Sequence, residues 1–191
     1  MTTEQTIIEE WGSITIPKPP KPEEVTVESK STALLVLDFQ NMNCNQERRP
    51  RCVESLPKVQ HFLSKAREKG MLVVYALIRS SPVEDIRDEV KPQGHEPIVK
   101  SGVDKFYKTD LENVLTTNAI SKVIVTGTSA HGAVLHTATG AAQRQLMVII
   151  PVDLISATEP FAELYTVWHL TNSPGTRRSV TITKSDMIEI M

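Results

Sequence analysis

Cysteine is nearly absent from this chain: its 191 residues contain two, Cys44 and Cys52. Two are too few for a disulfide framework, which excludes the small, core-poor, stapled class of extracellular domain. They could pair only with each other, closing one short loop, and the sequence reads more simply as two free thiols in a reducing compartment. Also missing is any apolar run near the roughly 18 residues that a membrane helix needs. The opening residues lack a cationic start followed by an apolar block, so no secretory signal is expected. A basic stripe is absent too: the net charge is −2, and the densest basic stretch, Arg48-Arg49-Pro50-Arg51, is short. That balance argues against a nucleic-acid partner. The expectation is a cytoplasmic protein that engages neither membrane nor nucleic acid.

What remains is ordinary globular composition, with 40% hydrophobic and 23% charged residues. The length suits one domain, which at this size removes roughly 70% of its unfolded surface from water. Residues 1–30 stand apart as an arm, because Pro17, Pro19, Pro20 and Pro22 favour extended polyproline geometry. The arm's apolar pieces, Ile7-Ile8, Trp11 and Ile14 to Ile16, suit a surface, which could belong to a neighbouring subunit. Val25-Thr26-Val27 reads as a short edge strand.

Residues 31–191 read as a single domain of alternating strands and helices. Ala33–Leu37 is a continuous apolar run ending at Asp38, as a strand buried on both faces requires. Residues 54–69 show helical spacing and stop at Gly70. Further strands are expected at 71–78, 97–100, 123–127, 148–150 and 180–182, and helices at 131–145 and 159–171. Thr109 and Glu112 predict a capping box ahead of a short helix carrying Leu111, Val114 and Leu115. Alternation of this kind implies right-handed βαβ units and a three-layer α/β/α fold with a doubly wound, mostly parallel, six-stranded sheet. In such sheets a ligand sits where strand order switches, at the strands' carboxyl ends. Asp38, Arg79, Lys100 and the 127–133 turn all lie at such ends.

Asp38, at the mouth of a buried strand, is placed for a raised pKa and acid/base work. Alone it reads equally as a loop-orienting carboxylate. Lys100 ends its own strand and would hold a neighbouring carboxylate ionised, although most strand-end lysines are simply solvated. The run from Thr126 through Ala133 passes from strand into helix, where unpaired backbone N–H groups can hold an anion. Thr128, Ser129 and His131 are the polar side chains there. Arg79 is a candidate partner for a substrate carboxylate or, equally, a surface arginine. His136 and Trp168 read as core or subunit contacts.

Four segments in order, LLVLDFQN, IVKSGVDKFYKTDLENVL, VIVTGTSAHGAVLHTATGAA and VIIPVDLISA, resemble the isochorismatase-like, or cysteine hydrolase, superfamily. They cover roughly residues 32–157. The resemblance implies a Rossmann-like fold and an Asp, Lys and Cys catalytic set, matched here by Asp38, Lys100 and, at the cysteine position, Ala133. Phe106 matches the family's aromatic position, and Gln40, Ser129, Ala130, His131 and Gly132 fall in its substrate and oxyanion region. An alanine cannot attack a carbonyl, so an acyl-enzyme route is excluded for this chain.

The local Ala130-His131-Gly132-Ala133 resembles the Ala-His-x-Gly of isochorismatases that work without the cysteine, which favours a natural alanine over an engineered one. The resemblance thus implies a cofactor-free hydrolase of a small polar molecule bearing a carboxylate, amide or vinyl ether, with water as the nucleophile. Its alternatives are a silent binding homologue and a Cys→Ala trapped amidohydrolase. Nicotinamidases in the superfamily carry an Asp/His metal cluster after the second strand. Residues 79–85 here offer no histidine, so no bound metal is expected. The resemblance also implies a non-proline cis peptide near Thr128–Ser129 and a homodimer or homotetramer.

Overall fold

The structure is a computed structural model and describes residues 5–191. In the arm a one-turn helix, α1 (Ile7–Glu10), is capped by Thr6, and beyond Ser13 the proline-rich stretch has neither helix nor strand up to β1 (Val25–Val27). The domain then runs through β2 (Thr32–Leu37), α2 (Pro50–Glu68), β3 (Leu72–Ile78), β4 (Ile98–Ser101) and α3 (Leu111–Thr117). After β5 (Lys122–Thr128) a single π-helical turn, Ala130–Val134, leads into α4 (Leu135–Gln143). The chain finishes with β6 (Met147–Pro151), β7 (Ile155–Ser156), α5 (Pro160–Asn172), β8 (Val180–Thr183) and β9 (Ile188–Ile190).

The main sheet has the order β4-β3-β2-β5-β6-β8, every neighbour parallel, with the two-residue β7 beside the end of β5. Six strands were expected from sequence, and β7 is the addition. A parallel sheet must be covered on both faces, and the alternating side chains show how. Leu34, Val36, Val73, Tyr75 and Ile124 pack with Leu56, Val59, Phe62 and Leu63 of α2 on one face. Leu35, Leu37, Val74, Val123 and Val125 pack on the other with Leu111 and Leu115 of α3, Ala138 and Ala141 of α4, and Leu170 of α5. This is the three-layer doubly wound fold.

Three local expectations differ from the structure. The strand β1 pairs not with the main sheet but, in parallel, with the C-terminal β9. The cysteines are not free: Cys44 and Cys52 form a disulfide across the first turn of α2, since the loop after β2 folds back onto that helix. The Thr109–Glu112 capping box does not form. Asp110 holds the cap position of α3, Thr109 Oγ1 accepts from Leu111 N, and the Glu112 carboxylate is drawn instead to Arg144 Nε at 2.7 Å.

Candidate active site

Strand order reverses between β2 and β5, so the crevice lies where Leu37 and Gly127 end their paired strands. Gly127 is required at that point. Its φ is +139°, and a Cβ there would lie 2.3 Å from Leu37 O. The two strands close up only because nothing occupies that space.

Asp38 follows directly, with a left-handed φ of 54° and its N–H donating to Ala76 O at 2.9 Å. The Asp38 side chain is 8% exposed, and Lys105 Nζ, fully buried, donates to Asp38 Oδ1 at 2.7 Å. Burial pushes the Asp38 carboxyl up to about 6, while the charge and hydrogen bond of Lys105, and then the charge of Arg49, pull against it. Burial likewise holds the Lys105 ammonium below its ordinary value against the attraction of Asp38. Both partners therefore shift toward neutrality, because desolvation outweighs their mutual attraction.

The lysine in the site is thus not the one expected. Lys100 lies on β4, an edge strand whose burial alternates, so Val99 and Ser101 turn inward while Lys100 is exposed. Lys105 arrives through the next loop, which α4 holds in place. Thr137 Oγ1 accepts from Lys105 N at 3.2 Å and lies 3.4 Å from Val103 O. A Cβ at Gly140 would meet Asp104 Oδ1 and Phe106 at 3.1 Å, so a glycine there lets the helix approach the loop. Thr109 Oγ1 donates to Lys105 O. Phe106 is buried beneath the Arg144 guanidinium, 4.4 Å from its ring centroid.

On the β5 side the Thr128–Ser129 peptide bond is cis. Ser129 O accepts from Gly132 N and Val134 N, which forms the wide turn. Ala130 and Ala133 are buried in it, Gly132 is half-buried and His131 is exposed. A Cβ at Gly132 would sit 2.6 Å from Ser129 Oγ, so the hydroxyl packs over the glycine. Gln40 is fully buried, and its Nε2 has no hydrogen-bond partner. Arg79 is exposed beyond β3 and contributes only its backbone N–H, to Ser101 O. Neither of two surface cavities, one around Arg67, Gln93 and Glu96 and one between the arm and α5, includes Asp38, Lys105 or the turn. Among the described residues no three His, Cys, Asp or Glu side chains gather as metal ligands.

With the geometry in place, residues 32–180 match the model of the isochorismatase domain. The chain belongs to the isochorismatase family. A curated relative, N-carbamoylsarcosine amidase of Arthrobacter sp, is 33% identical over 148 residues, which are 63% of this chain. The match spans 56% of that relative's length. Among solved structures, N-carbamoylsarcosine amidase from Thermoplasma acidophilum superposes with a TM-score of 0.69 at 23% identity, over 82% of this chain and 97% of that one. An isochorismatase-like hydrolase from Alkaliphilus metalliredigens gives 0.73 at 22%, over 82% and 95%. These likenesses share the α/β fold built above.

Lys105 is the partner of Asp38 that sequence reasoning missed. The signal for Lys105 was its place directly before the buried Phe106, in the loop beyond β4 rather than within the strand. In a doubly wound sheet, loops carry the functional groups.

Proposed function

We propose that this member of the isochorismatase family is a cofactor-free hydrolase of a small polar metabolite, with water as nucleophile and Asp38 as the acid/base. The buried Asp38–Lys105 pair at 2.7 Å carries this reading. A desolvated ion pair costs stability, and its place at the strand-order switch supplies a functional reason for it. With its carboxyl pushed up to about 6, Asp38 is mostly ionised at neutral pH yet able to accept a proton.

For an amide, water oxygen attacks the carbonyl carbon while Asp38 takes the water proton. Backbone N–H groups of the 129–133 turn then hold the oxyanion. Collapse of the tetrahedral intermediate breaks the C–N bond, and Asp38 returns the proton to the leaving amine. The Lys105 ammonium holds the carboxylate in place and limits its basicity. By the family resemblance Ala133 stands at the nucleophile position, so no acyl-enzyme forms.

The alanine also supports a second reading, a homologue that binds its ligand without turning it over. Mass-spectrometric turnover of isochorismate and a panel of small amides and ureido acids separates the two. The expected result is turnover by the unmodified chain that is lost in Asp38→Asn and Lys105→Met. Activity only in Ala133→Cys would instead mean a disarmed amidohydrolase, and silence from every variant would favour the binding homologue. We also propose a homodimer or homotetramer, supported by the exposed apolar side chains of the arm and of α5.

A further inference from the structure

Four arginines of this chain have a carboxylate to pair with: Arg51 with Glu163, Arg67 with Glu96, Arg87 with Glu89 and Arg144 with Glu112. Arg49 has none among the described residues, although it is half-buried. It is the residue before α2, inside the loop that the Cys44–Cys52 disulfide closes. Its Nη1 reaches Asn43 O at a long 3.4 Å, and its Nε is buried with no partner. Asn43 belongs to the turn that begins just after Asp38, its N–H donating to Gln40 O and its Nδ2 reaching Gln40 Oε1 at 3.5 Å. The guanidinium is near enough to Asp38 for each group to feel the other's charge. Asp38 is nonetheless already engaged by Lys105.

The ionised set is therefore unbalanced: Asp38 contributes one negative charge against the positive charges of Lys105 and Arg49. A second unmet donor, Gln40 Nε2, lies in the same turn. Buried donors without acceptors are costly, and a partly desolvated guanidinium without an anion is costlier still. A carboxylate supplies what both lack, one negative charge and two acceptor oxygens that match the guanidinium fork.

We propose that Arg49, with the Gln40 amide as second donor, binds the substrate's carboxylate beside the Asp38–Lys105 pair, so that the site selects small monoanionic carboxylates. This rests on the reading of Asp38 and Lys105 as the reacting centre. It moves the carboxylate role from Arg79, which is exposed, to an arginine that the loop after β2 carries into the site.

The test is NMR of the Arg Nε–Hε signals in the full-length 15N-labelled chain, with the Arg49 signal identified by its loss in Arg49→Lys. N-carbamoylglycine and acetate should shift that signal saturably, and N-carbamoylglycinamide and acetamide should leave it in place. Arg49→Gln should weaken N-carbamoylglycine binding at least about tenfold, as the loss of one charge-assisted contact implies. The proposal is overturned if the signal ignores carboxylates, if the amides move it equally, or if Arg49→Gln binds N-carbamoylglycine as the native chain does. Running the titration in Asp38→Asn separates this from the hydrolase reading. A shift that survives there without turnover by the native chain sinks only the hydrolase, whereas turnover with an unmoved signal sinks only the Arg49 subsite.

Discussion

Asp38 has lost nearly all its water and gained one ammonium, and the balance of these two changes gives a testable sign. Its carboxyl titrates near 6 in the folded chain against an ordinary 3.8, so between those values the folded state holds more protons than the unfolded state. The stability that this group contributes is fully present below about pH 4 and lost as pH rises through about 6. Glu89, held low by Arg87, acts in the opposite direction, so the informative quantity is the difference between the native chain and Asp38→Asn. Thermal melts from pH 4 to 7.5 should show the native chain losing stability relative to the variant, and parallel curves would refute the assignment. For an amide substrate the rate should rise with pH through the same region, because the ionised carboxylate takes the water proton. Lys105→Met removes a fully buried partner that pulls the Asp38 carboxyl down, and should move that loss of stability to higher pH. It should also destabilise the fold by roughly 3–5 kcal/mol, the usual cost of leaving a buried charge unpaired.

Strand β5 approaches β2 closely only because its penultimate residue is glycine. In Gly127→Ala the new methyl would meet Leu37 O and Leu37 Cβ while the backbone held a φ of +139° that alanine rarely adopts. The expected loss is about 3 kcal/mol or more, read by urea denaturation, together with a displaced 128–134 turn and lost turnover. An unchanged midpoint would mean that the strands can part at little cost. The Leu34–Leu37 and Val123–Val125 runs were legible in the sequence because a strand buried on both faces must be continuously apolar, and the switch point followed from topology. The start of α2 at Pro50 was not legible as helix, although proline suits a first helical position. Strand β9 was invisible because three residues become a strand only against β1, some 160 positions away in the chain. Lys105 could not be chosen over Lys100 by spacing alone. Its path depends on Thr137 and Gly140 of α4, which meet the 103–106 loop only in the folded state.

Among the described residues, two stretches of uncovered apolar surface lie side by side. The arm exposes Ile7, Ile8, Trp11, Ile14 and Ile16, and α5 exposes Phe161, Leu164, Tyr165 and Trp168. Ile16 and the prolines after it share a cleft with Leu164, Val167 and Trp168, so the end of the arm meets α5 there. Trp168, stacked with Tyr165 at 6.5 Å between centroids, is 42% exposed and so belongs to no core of the single chain. His136 is exposed as well, on the outer side of α4. Contiguous apolar surface of this kind marks a site of association, and each large side chain that it buries stabilises a contact by about 1.5–3 kcal/mol. The full chain should therefore run as a dimer or tetramer in light scattering at micromolar concentration. Trp168→Glu should raise the dissociation constant at least about tenfold with the circular dichroism spectrum unchanged, because the charge must be desolvated in the contact but not in the monomer. A chain that stays monomeric at high concentration, or a Trp168→Glu variant that assembles as the native chain does, would place the subunit contact elsewhere or remove it. The Asp38–Lys105 pair is complete within one chain, so its pH signature should persist in the dissociated variant.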